Sequence, residues 1–294
     1  LQLLFNAADI IVVGRFTGSQ ALAAVGSTSA LINLIINLFI GVSVGANVVV
    51  ARNYGAKDYD GIHGAVHTSV LTAIWGGIIL IFVGILLARP MLEMMGTPED
   101  VINLSVLYMR IYFVGMPAFM MYNFGAAILR AIGDTKRPLY FLTLSGVVNV
   151  VLNLFFVIVF HMGVAGVALA TIISQAISAF LIILCLMKMD GPCHLDFKHL
   201  KFHPEQLKSM LRIGLPAGLQ GAIFSISNVL IQSSVNSFGE VIMAGSSAAI
   251  SIEQFIYANI NAFYQANVAF TSQNYGAGDY RRIKKIAMIS VVTG

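Results

Sequence analysis

Two carboxylic acids stand alone in long apolar stretches of this sequence. Asp9 is flanked by Ala7, Ala8, Ile10 and Ile11, and Glu253 by Ser251, Ile252, Gln254 and Phe255. An ionisable side chain at bilayer depth costs at least ~2.5–3.5 kcal/mol on insertion scales, so each one needs a reason. Such a carboxyl is either a structural group capped by hydroxyls and amides, or a site that takes up and releases a proton or small cation. The second role follows because burial disfavours the bare charged form. Asn149 and Asn153 are four residues apart and so share one helix face. Their amides can bond across a helix interface or offer neutral oxygens to a cation. Arg110 is the one base inside a span, and its long stem lets the guanidinium reach the interface without any substrate role.

The stretches that carry these residues are membrane spans by composition. Hydrophobic residues make up 58% of the 294 and charged residues 10%, with a mean hydropathy of +0.85. A soluble globular chain carries about 25% charge, so lipid is the solvent for most of this surface. Apolar runs fall at 1–13, 24–50, 66–88, 104–129, 138–160, 164–188, 211–238 and 243–271, and a ninth starts near 284. About 20 apolar residues cross a bilayer as a helix, and open sheet edges cannot be satisfied in lipid, so each run predicts a helix. Pro117 and Pro216 lie inside runs and predict kinks. The one long polar connection is MDGPCHLDFKHLKFHPEQLK, residues 189–208. The first run is short and the last unfinished, so the chain reads as a fragment of a longer protein, with no signal peptide visible.

Basic residues set the topology. With the 53–59 loop placed in the cytoplasm, Arg52, Lys57, Arg130, Lys136, Arg137, Lys188 and the bases of 198–212 and 281–285 all lie inside. Only Arg15 and Arg89 fall outside. This asymmetry accounts for the pI of about 9.1 without a nucleic-acid partner. The heptapeptides NYGAKDY (Asn53–Tyr59) and NYGAGDY (Asn274–Tyr280) match at all positions but Lys57 and Gly278. The same offset pairs Gly18 with Gly239, Ala23 with Ala244 and Ile62 with Ile283, which implies duplication. Both loops land inside, six spans apart, so the repeats are parallel, an architecture of secondary transporters. The loops are expected to make tight turns that hold neighbouring helices at a hinge. Gly41 and Gly45 (GVSVG) have the small-residue spacing of close helix packing.

Other clusters carry less. Cys185 and Cys193 read as free thiols. Cys193, His194, His199 and His203 crowd the polar connection, but their spacing matches no standard zinc pattern, so no metal is expected. His63 and His67 read as interfacial residues. No GxSxG, Walker A or HExxH pattern is present, and no enzyme activity is expected.

The pieces ADIIVVGRFTG, VVARNYGAKDY, LRAIGDTKRP, NVVLNLFFV, GVAGVALATIISQ, RIGLPAGLQ, SFGEVIMAGSSAAISIEQF and SQNYGAGDYRRIKK cover the chain in one order. In words, order and spacing the sequence resembles the multidrug and toxic compound extrusion (MATE) family of cation-coupled exporters. The resemblance implies an all-α membrane protein of the bacterial plasma membrane, multi-pass, with its basic loops cytoplasmic. The implied fold is a polytopic helical bundle of twelve spans in two parallel six-helix repeats, or lobes, about eight spans being present. Residues 1–189 would be the amino-terminal lobe, 190–208 the cytoplasmic linker and 209–294 the start of the carboxy-terminal lobe.

The resemblance also implies a monomeric antiporter that exports lipophilic, often cationic small molecules by alternating access, with H⁺ or Na⁺ as coupling ion and no other cofactor. Asp9 matches the family's first-helix coupling aspartate. Archaeal members place Asn then Asp at the spacing of Asn149 and Asn153 and add a sixth-helix threonine, matched by Thr171. Asn153 departs from that pattern, since a carboxylate is missing. Other members couple through acids on helices seven and ten; the seventh span here offers Asn228 and Gln232. Glu253 is then an additional cation or substrate ligand, or is neutralised by a partner elsewhere in the protein. A cavity for flat cations needs polarisable apolar walls. Phe119, Met120, Met121 and Tyr122 of the fourth span and Tyr257, Phe263 and Tyr264 of the eighth are candidates, although such residues also pack against lipid or neighbouring helices. A lipid-linked oligosaccharide flippase shares the two-lobe architecture but needs several bases in its cavity, where only Arg110 is available. A channel is disfavoured by the duplication.

Overall fold

A backbone surrounded by lipid must close its hydrogen bonds within each segment, and the apolar runs do so as helices. The computed structural model describes residues 11–236 and 240–293. Its helices are α1 (Ser19–Gly55), α2 (Tyr59–Met94), α3 (Glu99–Val114), α4 (Met116–Ala131), α5 (Lys136–Leu154), α6 (Gly163–Lys188), α7 (Pro204–Asn236), α8 (Glu240–Gly276) and α9 (Tyr280–Thr293). Among the described residues four helices are long and apolar enough to cross a membrane: α1, α2, α5 with its extension to residue 159, and α6. A fifth span results if α3 and α4 count as one.

The run expected at 104–129 is broken. Helices α3 and α4 meet at 48°, at Gly115. Pro117 has no N–H to bond four residues back, which weakens the helix there. Gly115 then lets the break approach α6, where a Cβ would stand 2.7 Å from Ile172 Cγ1. Pro216, by contrast, is carried inside α7 without ending it. The core lies among α1–α6, with Ile62, Leu80, Met109, Phe113, Phe124, Ile128 and Ile182 fully buried.

The two NYG loops fold alike, with the same bonds in each. Ala56 N–H donates to Arg52 C=O and Ala277 N–H to Gln273 C=O, both at 3.0 Å; Asp58 N–H donates to Asn53 C=O at 3.0 Å and Asp279 N–H to Asn274 C=O at 2.9 Å. Asp58 and Asp279 then cap the next helix, accepting from Gly61 N–H at 3.0 Å and Arg282 N–H at 3.1 Å. The single position at which the heptapeptides differ is the left-handed one, φ 56° at Lys57 and φ 72° at Gly278. A left-handed backbone costs an L side chain roughly 1–2 kcal/mol, partly offset by the entropy glycine loses on folding. Lys57→Gly is therefore expected to stabilise the full-length protein by roughly 0.5–1 kcal/mol, read as a higher melting temperature in detergent. An unchanged or lower value would mean that the Lys57 side chain compensates the strain.

Candidate functional site

The polar residues of α5 and α6 come together. Asn153 Nδ2 donates to Asn149 Oδ1 at 3.2 Å, Asn149 Nδ2 to Thr171 Oγ1 at 3.4 Å, and Thr171 Oγ1 to Val167 C=O at 3.0 Å. Asn149 and Asn153 are buried. Directly after them the backbone widens into a π-helical turn, Phe155–Val159, a departure often found where helices carry function. The result is a directed row of neutral amides and a hydroxyl whose oxygens can serve a proton donor or a monovalent cation. Asp9 lies outside the described residues.

One turn beyond Thr171, Gln175 Oε1 is buried without a hydrogen-bond partner. It borders a cavity of about 10 Å³ lined by Tyr112, Gly115, Met116, Phe119, Thr171 and Ile172, about the room that one water needs. Sequence reasoning passed over Gln175. Its only signal was a glutamine in an apolar run, four residues after Thr171 in TIISQ.

The expected substrate residues divide. Phe119, Met120, Met121 and Tyr122 are packed in the core, and Tyr122 Oη donates to Pro138 C=O at 3.0 Å. On α8, Tyr257, Phe263 and Tyr264 are exposed, as are Asn228 on α7 and Glu253. The Gln232 side chain lies outside the described residues. Arg110 is exposed, as snorkelling requires.

A further site, only half anticipated, is the junction of α1 with α7, the most extensive helix pairing among the described residues. Gly41 and Gly45 of α1 face Gly214 and Gly218 of α7. A Cβ on Gly41 would fall on the Gly218 backbone, and one on Gly45 would fall on Met210 C=O. The GVSVG motif therefore has a GLPAG partner, and the helices meet backbone to backbone. Toward the loop end, a Cβ on Gly55 would fall on Gln273 C=O and one on Gly276 on Arg52 C=O, a reciprocal contact between the two NYG loops. Gln273 Nε2 also donates to Ala131 C=O at 2.6 Å. At the other limit of the junction, Asn37 Nδ2 donates to Ser225 Oγ at 2.8 Å. Beyond Ser225, α7 exposes Ile226, Asn228, Leu230 and Ile231.

The polar connection is docked on α2. His67, expected at an interface, is fully buried. Its Nδ1 lies 2.8 Å from His63 C=O, and its Nε2 lies 3.1 Å from Asp196 C=O and 3.3 Å from Asp196 N–H. A carbonyl only accepts, so Nδ1 donates to His63 C=O. His203 N–H donates to Thr68 Oγ1 at 3.1 Å, and the His203 ring lies over Gly64. His199 Nδ1 and the Lys198 N–H bond the Asp196 carboxylate, holding it below the usual carboxylate range. Cys193 is buried, and burial pushes its thiol up to about 11. Both cysteines are free thiols.

The MatE family model matches residues 1–155 and 216–294. The chain belongs to the MATE family. A solved MATE protein on which it superposes is a transporter. Two proteins of Bacillus subtilis, the probable multidrug resistance proteins YoeA and YpnP, are each 30% identical to this chain, covering 99% and 96% of it. A solved multidrug resistance MATE family transporter of the MOP superfamily, in an outward-facing conformation, superposes with a TM-score of 0.90 at 27% identity over 99% of this chain. The chain spans 64% and 63% of the two Bacillus relatives and 65% of the solved one.

Proposed function

We propose that the full-length protein is a cation-coupled antiporter, driven by H⁺ or Na⁺, that exports lipophilic and often cationic compounds across the bacterial plasma membrane. Its two parallel six-helix lobes would be joined by the linker at 190–208, with both NYG loops cytoplasmic and about eight of twelve spans in this chain. The observation that carries the reading is the one-sided junction of α1 with α7 and α8. Among the described residues its contacts include Asn37 with Ser225, Gly41 and Gly45 with the Gly214–Gly218 turn, and Gly55 with Gln273, all on the half of α1 that runs to the loop. A junction closed on the loop side is what one of the two states of alternating access requires. The MATE membership and the named activities of the Bacillus relatives support the same reading.

The coupling ion binds where Asp9 would join Asn149, Asn153 and Thr171, with Glu253 a second acidic ligand. Substrate meets the exposed Asn228, Tyr257 and Tyr264 of α7 and α8, together with Gln232. Met120, Met121 and Tyr122 form the wall behind, reached only if α4 shifts. The test is ethidium efflux by the full-length protein under imposed H⁺ or Na⁺ gradients, comparing wild type with Asp9→Asn. Gradient-dependent efflux that Asp9→Asn abolishes is the expected result, and the better gradient names the ion. Efflux that survives the substitution would move coupling to Glu253 or to another part of the protein.

A further inference from the structure

We propose that Asn37 and Ser225 form a hydrogen-bonding floor between α1 and α7 that exchanges its own bond for one to the substrate. The proposal rests on the export reading above. The Asn37–Ser225 bond is short, 2.8 Å, and only partly buried. On its loop side the junction is glycine backbone against glycine backbone, from Leu38 and Gly218 to Gly45 and Met210, and offers a ligand nothing to replace. On its other side the next polar residues, Asn33 on α1 and Ser227 and Asn228 on α7, are all exposed. The pair is thus the first polar group that a molecule entering between the two helices would meet at the bottom.

A bond between two neutral groups is easily exchanged, because the partner's replacement restores most of what is lost. A ligand with an N–H or O–H can donate to Ser225 Oγ, and one with a carbonyl or ring nitrogen can accept from Asn37 Nδ2. A ligand with neither would leave a desolvated amide unpaired if it displaced the bond, and so must sit higher in the cleft. The substrates this floor favours are therefore apolar ring systems that carry at least one hydrogen-bonding nitrogen or oxygen. Charge alone does not satisfy it. The exchange also removes the polar tie at the top of the junction, so occupancy loosens the contact that must part for the inner side to open.

Two cations of equal charge separate these effects. Ethidium carries aryl N–H groups, and tetraphenylphosphonium has no donor or acceptor. In proteoliposomes of the full-length protein, Ser225→Ala is expected to raise the ratio of the ethidium KM to the tetraphenylphosphonium KM by about threefold to tenfold, the span of one neutral hydrogen bond. Ser225→Thr, which keeps the hydroxyl, is expected to bring the ratio back toward wild type. An unchanged ratio in Ser225→Ala, or a ratio that Ser225→Thr leaves raised, overturns the assignment and leaves the export reading standing. A wild-type protein that moves neither cation overturns the export reading, and this proposal falls with it.

Discussion

Oxidation of a full-length protein carrying Asn37→Cys and Gly221→Cys will stop ethidium efflux, and reductant will restore it. A Cβ built on Gly221 stands 3.5 Å from Asn37 Cβ, within the separation that a disulfide spans without moving the backbone. The two residues belong to α1 and α7, so the bridge would staple the two halves of the proposed transporter at the upper limit of their contact. Alternating access requires that contact to part once per cycle. A covalent tie there leaves one state, and efflux falls to the rate of membranes without the protein. The single-cysteine variants set the reference, because Asn37→Cys alone also removes the polar floor. Cys185 should be replaced first. Cys193 interferes little, since a buried thiol pushed up to about 11 stays protonated at neutral pH, and the thiolate is the reactive form. Efflux that continued with the bridge formed, as read by mass shift, would mean that α1 and α7 move as one body, and alternating access would have to be sought elsewhere.

What was legible in the sequence was what lipid dictates. Runs long enough to cross a bilayer became helices, and the i, i+4 spacing of Asn149 and Asn153 put both on one face, within reach of Thr171. The bend of the fourth run was legible at Pro117, but that it falls at Gly115 was not. Nor was the burial of Met120, Met121 and Tyr122. In a helix apolar on every side, periodicity does not say which face meets lipid, core or cleft. The GVSVG motif implies a close contact, but small-residue spacing does not say which helix lies opposite, and only the structure pairs it with GLPAG. His67 was misplaced for a related reason: a histidine near a span end looks interfacial until the connection that covers it is seen.

The same substitution, one helical turn apart, should give opposite results at Gly218 and Gly221. Between helices in a bilayer the hydrophobic effect contributes little, and close backbone packing supplies much of the attraction. At Gly218 an added Cβ would fall on Leu38 C=O, 2.9 Å from Leu38 Cα and 3.0 Å from its carbonyl carbon. Those atoms belong to a helix backbone and cannot turn aside as a side chain can. Gly218→Ala must therefore push α7 off α1, at an overpacking cost of roughly 1–3 kcal/mol, and it does so in the closed state alone. At Gly221 the nearest atom is Asn37 Cβ at 3.5 Å, ordinary contact. There Gly221→Ala meets no obstacle and gains up to about 1 kcal/mol of helix propensity. The expected outcome is a lower melting temperature and slowed ethidium efflux for Gly218→Ala, against an unchanged or higher melting temperature for Gly221→Ala. Because the penalty applies only while the junction is closed, Gly218→Ala should also slow formation of a loop-side cross-link between Arg52→Cys and Gly276→Cys. Equal behaviour of the two alanine variants would show that the helices do not depend on glycine contact at this height, and the closed state would have to be held by the NYG loops.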